Sequence, residues 1–115
     1  MMVTVNVNRK EIEMGAEVFF TNASGKTAGE AFNEAVDRAR YDYGHAGYTG
    51  TLAEKGAFTS IAVPEGEEPA KFADKLIDEC DPRVDDKWGP AGCIQTGEYE
   101  DTGVKTFLFF GWASS

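Results

Sequence analysis

The sequence predicts an α+β domain: an antiparallel sheet of five or six short strands with two amphipathic helices over one face. Three observations predict it. Val3, Val5 and Val7 alternate with Thr4, Asn6 and Asn8, the period-two pattern of a half-buried strand. Ala28, Ala31, Phe32, Ala35, Val36, Ala39 and Tyr43 recur at helical spacing, with Glu30, Asn33, Glu34, Asp37, Arg38 and Asp42 on the opposite face. Val104 to Trp112 (VKTFLFFGW) is apolar on both faces, as a central strand is. At 115 residues the chain fits one domain, residues 1–115, large enough to hold a core without disulfides or metal.

The elements follow in order. After the strand at Val3 to Val7, the polar stretch Asn8 to Gly15 is a connection, and Ala16 to Thr21 (AEVFFT) is a second strand. Asn22 to Gly25 has loop composition. Thr27 with Glu30 three residues later is a capping box, so the first helix runs from Thr27 to Tyr43 and stops at Gly44. Gly44 to Gly50 is a glycine-rich turn leading into a short strand near Tyr48 to Ala53, and Ala57 to Val63 has strand composition. Pro69 suits the first turn of a second helix whose inner face is Phe72, Ala73, Leu76, Ile77 and Cys80. Asp81-Pro82 ends it. Arg83 to Gly92 is a loop, Gly92 to Thr96 a short strand, and Val104 to Trp112 the last.

Twenty acids against eleven bases give a net charge of −9, and −7 of it lies in residues 64–115. Such a surface repels phosphate backbones, which argues against direct nucleic-acid binding and allows a protein partner with a basic surface. The plainer reading is a solvated acidic face that keeps the protein soluble. No apolar run approaches the ~20 residues that span a bilayer, so no membrane role is expected. The N-terminal MMVTVNVNRKEIEMG lacks a signal-peptide core, which predicts a cytoplasmic protein. Cys80 and Cys93 form neither a CxxC nor a zinc spacing; both are expected as small buried hydrophobes, with no metal and no cofactor.

Gly25-Lys26-Thr27 sits between a strand and a helix, as the end of a phosphate-binding loop does. The glycine that such a loop needs five residues before Gly25 is replaced by Phe20, so nucleotide hydrolysis is not expected. Weak anion binding at the helix N-terminus remains open. Residues 43–51 (YGHAGYTGT) carry three glycines, the only histidine, two tyrosines and two threonines, with Lys55 close behind. They read either as a polar small-molecule pocket formed by His45, Tyr48, Thr49, Thr51 and Lys55, or as a helix cap followed by a tight hairpin. Asp78, Glu79, Asp81, Asp85 and Asp86 lack the order of a calcium loop and read as a solvated helix end. Trp88 in Lys87-Trp88-Gly89-Pro90 is either an anchor for a partner or a lid on the core edge. No GxSxG elbow is present, and one histidine gives weak ground for a triad, so no catalytic residue is assigned.

The strings GHAGYTGTLAEK, DKWGPAGCI and FLFFGWASS resemble small proteins of bacteriophages and related mobile elements. The resemblance spans most of the chain and implies a bacterial cytosol and a host factor as target, with no catalytic residue to carry over. The expected function is therefore that of a small acidic binding protein rather than an enzyme. It would engage a basic host protein through its acidic second half, with Asp85, Asp86 and Trp88 as candidate contacts. The alternative is a small-molecule binder or small enzyme with its pocket at residues 44–55. A homo-oligomer is also expected. Phe107 and Phe109 point opposite to Leu108 and Phe110, so helices on one face would leave one pair uncovered unless the Arg83 to Gly92 loop folded over it.

Overall fold

The computed structural model describes residues 15–44 and 49–115. Strand β1 (Ala16–Gly25) leads into helix α1 (Ala28–Tyr43), a single 3-10 turn (Leu52–Glu54) and the short strand β2 (Phe58–Ser60). Helix α2 (Pro69–Asp78) and the hairpin strands β3 (Ala91–Tyr99) and β4 (Val104–Ser114) complete the fold. The fold is α+β as expected, but the sheet is mixed. Among the described residues it has four strands in the order β1-β4-β3-β2, with β2 parallel to β3 and the other pairs antiparallel. The strand expected at Val3 to Val7 lies outside the described residues.

The two helices lie on opposite faces, not on one. Phe107 and Phe109 of β4 pack with Phe32, Ala31 and Ala35 of α1, whereas Leu108 and Phe110 pack with Phe72, Ala73, Leu76 and Ile77 of α2. The pleat of β4 sends adjacent side chains to opposite faces, and each apolar set has drawn its own helix. All four of these residues are buried, so the sheet-face dimer loses its physical motive. The 83–92 loop does contribute cover on the α2 face. It does so through Val84, while Trp88 stands out from the surface.

Local sequence explains most boundaries. Thr27 Oγ1 accepts from Glu30 N at 3.1 Å, and Glu30 Oε1 accepts from Lys26 N at 3.3 Å, so the predicted capping pair starts α1. Gly44 ends it at φ +93°, its N–H donating to Arg40 O. Residues 22–25, expected as a loop, continue β1 because the long β4 pairs with them as far as Gly25↔Lys105, and Ala23 is buried under α1. The strand expected near Tyr48 to Ala53 is absent among the described residues 49–53; there Thr51 caps the 3-10 turn by accepting from Ala53 N. Of Ala57 to Val63, only Phe58–Ser60 is strand, with Ala57 O accepting from Ala91 N and Ile61 N donating to Cys93 O at its two ends. Gly92 is required by packing: a Cβ there would lie 2.7 Å from the Phe110 ring and 2.8 Å from Val84.

Cys80 departs from expectation. It lies beyond the end of α2, exposed, at φ +56°. Cys80 N donates to Ile77 O and Asp81 N to Leu76 O, the two bonds of a Schellman terminus with a cysteine where glycine is usual. A left-handed non-glycine residue costs roughly 1–2 kcal/mol. Cys80→Gly is therefore expected to stabilise the fold by about 1 kcal/mol in a urea titration; a loss of stability would mean the Cys80 side chain makes a contact that outweighs the backbone strain.

Candidate functional site

The described residues of the glycine-rich segment form a hydrogen-bonded turn tied to β4 by Gly50 N, which donates to Ser114 O at 2.7 Å. Thr49 N and Oγ1 both donate to Glu54 Oε2, at 3.0 and 2.7 Å. The hydroxyls of Thr49 and Thr51 lie 2.8 Å apart, and Thr51 N donates to Thr49 Oγ1. His45 and Tyr48 lie outside the described residues. Thr51 lines a cleft of about 330 Å³ between β1 and the C-terminal half of α1, together with Gly50, Arg38, Asp42 and Tyr43. The Arg38 guanidinium there donates to Asn22 O at 3.1 Å.

Lys55 is buried at 3% exposure, and its ammonium faces the protein rather than a cleft. Nζ donates to the backbone carbonyls of Gly89 (2.8 Å), Lys87 (3.1 Å) and Asp86 (3.3 Å) and sits 6.0 Å from the centre of the Phe19 ring. Burial pulls its pKa down from 10.5 to about 8, against the opposing pull of the Asp86 charge. Asp86 is also occupied locally, accepting from Trp88 N at 2.8 Å, while Gly89 N donates to Asp86 O. The result is a tight turn pinned from beneath by Lys55, with Trp88 67% exposed on it and Lys87 Nζ 5.3 Å from the indole. Trp88 is thus no lid. Asp85 is half-buried in the same loop. The structure joins the two segments that the sequence singled out separately, through one buried lysine.

A larger cleft, of about 560 Å³, opens at the other end of the α1 face. Helix α1 crosses β1 and β4, so the strip of sheet between its N-terminus and the three-residue β2 is left uncovered. Lys26, Thr27 and Ala28 form one wall, and Ser60, Ile61 and Ala62 the facing wall. Cys93, Gln95, Lys105 and Phe107 come from the sheet. Lys26 and Lys105 meet because β1 and β4 pair with Gly25 opposite Lys105. Among the described residues lining it, none is acidic, in a chain with twenty acids. Burial pushes the Cys93 thiol up to about 11, which keeps it protonated and unreactive at neutral pH. The sequence pointed to the α1 N-terminus through Gly25-Lys26-Thr27. Ser60, Gln95 and Lys105 carried no local signal, because only strand register brings them there.

Compared with protein-family models, curated proteins and solved structures, the chain matches none. Among the described residues no helix is long and apolar enough to cross a membrane, and no group of three or more His, Cys, Asp or Glu side chains has the arrangement of a metal site.

Lys55→Met would leave three carbonyls without their donor, and about 1–3 kcal/mol of stability is expected to go with it at pH 7. The sign with pH is set by linkage. Between pH 8 and 10.5 the unfolded chain holds the proton that folded Lys55 has released, so this group favours folding more as pH rises. Denaturant midpoints should therefore show the stability gap between wild type and Lys55→Met widening from pH 7 to 10. A constant gap would contradict the depressed pKa.

Proposed function

We propose that the protein is a binding protein whose ligand is a small anion bearing a carboxylate or phosphate, held in the cleft between the α1 N-terminus and β2. One observation carries this reading: two lysines and a helix N-terminus share a ligand-sized cleft that no carboxylate lines. Thr27 and Glu30 cap the Glu30 and Lys26 amides, and of the first helical residues, whose N–H groups have no partner within the helix, Ala28 lines the cleft. Ser60 and Gln95 supply hydroxyl and amide groups that orient a polar ligand, and Phe107 gives an apolar floor. A protonated Cys93 thiol supports binding rather than nucleophilic chemistry. The small-molecule reading is thereby moved from residues 44–55 to the opposite end of α1.

The second reading, a phage-type protein that docks a basic host factor on its acidic half, has less support as a whole-surface effect. Glu30, Glu34, Asp37 and Asp42 are exposed on α1 and Asp74, Asp78 and Glu79 on or beside α2, so carboxylates stand on both sides of the sheet. What favours it is Trp88, an exposed aromatic on a turn that Lys55 holds in place.

Amide chemical shifts during titration with inorganic phosphate and with citrate test the first reading. Shifts should concentrate at residues 26–30, 60–62, 95 and 105, and Lys26→Ala and Lys105→Ala should each weaken binding by roughly 2- to 5-fold. Shifts confined to residues 49–55 would return the site to the glycine-rich segment, and no shift with either anion would refute the proposal.

A further inference from the structure

The opposite face of the sheet carries a second surface with a different character. Helix α2 has only ten residues and packs on β3 and β4, so the same face of β1 has no helix above it. A groove of about 350 Å³ results, lined by Phe20 and Asn22 of β1, Leu108 of β4, Thr96 of β3, and Ala70 and Asp74 of α2. Phe20 is 46% exposed, although its inner side stacks on Phe110 at a centroid distance of 6.3 Å and an interplanar angle of 8°. A half-exposed phenylalanine beside a leucine forfeits part of its burial energy, which a docked apolar side chain would recover.

Among the described residues that line this groove, the one charged side chain is acidic, Asp74. At 100° per residue, Ala70 and Asp74 lie on the groove-side flank of α2; Asp78 continues that row 40° further toward solvent, with Lys71 20° beyond it and Lys75 further round, away from the groove. Asp74 lines the groove and Asp78 continues the same row one turn later; both are exposed. On the strand side the neutral Asn22 and Thr96 complete the lining, with Thr96 Oγ1 2.7 Å from Thr106 Oγ1. The groove thus combines an apolar floor with a carboxylate rim. That pairing fits a segment with apolar side chains on one side and lysines or arginines beside them.

We infer that the groove between α2 and β1 is a docking site for a basic amphipathic segment of a partner protein, with an apolar side chain seated on Phe20 and Leu108 and cationic groups paired with Asp74 and Asp78. It lies on the other side of the sheet from the anion cleft and stands independently of it. The dispersed acid of the whole surface does not carry it; the row of two aspartates beside exposed apolar surface does. Such a site predicts that position, and not only net charge, governs binding.

The test is a titration of the full chain with a synthetic amphipathic leucine–lysine peptide, followed by amide shifts, with a leucine–glutamate peptide of equal length as counterpart. Shifts are expected at residues 18–22, 70–78 and 96, and the leucine–glutamate peptide should not produce them. The Asp74→Lys/Asp78→Lys pair should weaken binding by about tenfold or more, and so should Phe20→Asp. Glu34→Lys/Asp37→Lys makes the same change in net charge on α1 and should cost less than about twofold. Because Phe20 is half-exposed, an amide spectrum that retains its dispersion verifies that Phe20→Asp is folded. Equal losses from the two lysine pairs would reduce the effect to bulk charge and overturn the proposal. It would equally fall if the groove is already occupied: by a second copy, seen as a dimer that Phe20→Asp dissociates, or by the chain's own residues 1–14, seen as groove shifts when they are deleted.

Discussion

Phe109 and Phe110 are neighbours in sequence and both fully buried, and a strand cannot bury two consecutive side chains on one face. The rest of the structure follows from meeting both demands. On one side Phe109 sits within a ring of aromatics, 5.5 Å from Phe32 of α1 and 5.8 Å from Phe58 of β2, with Phe32 and Phe58 5.1 Å apart. On the other, Phe110 lies against Gly92, beneath Val84 and the inner face of α2. Each ring gains on the order of 1.5–3 kcal/mol from burial, so a one-sided layer would forfeit one of the two. Helices on opposite faces, and strands flanking β4 on both edges, satisfy both.

The same solution leaves the sheet incompletely covered. At 1.5 Å per residue α1 is about 24 Å long and α2 about 15 Å, and one helix is some 10 Å wide, so neither can shield four strands. On the α1 face the shortfall falls beside β2 and becomes the lysine-lined cleft. On the α2 face it falls over β1 and leaves Phe20 half-exposed. The candidate functional surfaces are thus where helix cover runs out, and their chemistry is decided by which side chains the strand registers deliver there.

What was legible in the sequence was local. The Thr27–Glu30 pair, Gly44 and Pro69 mark helix ends by backbone chemistry that needs no distant partner, and α1, α2 and β4 stand within a few residues of expectation. What was illegible was non-local. The parallel pairing of β2 with β3, the extension of β1 through Asn22 to Gly25, and the meeting of Lys26 with Lys105 depend on register with strands far along the chain. Lys55 illustrates the same limit. Its place beside a glycine-rich turn suggests a ligand group, yet its ammonium donates to carbonyls 31 to 34 residues away. Periodicity places Cys80 on the inner face of α2, but the helix closes two residues earlier and turns it outward.

The two surfaces sit in one electrostatic field and should respond to salt in opposite senses. A net charge of −9 repels an approaching anion over a range set by the screening length, ~30 Å at 0.01 M salt and ~8 Å at 0.15 M. The attraction of Lys26, Lys105 and the α1 N-terminus acts at contact distance, where screening is weaker. Raising salt over this range therefore removes repulsion from the cleft while sparing most of its attraction, and phosphate affinity should hold or rise. For a cationic segment in the groove, long-range field and local aspartates pull the same way, so salt removes attraction only. Measured across the same salt series, peptide affinity should fall steeply while phosphate affinity does not; parallel falls would mean that the field at the cleft is attractive overall, its lysines outweighing both the net charge and carboxylates such as Glu98, the register partner of Lys105.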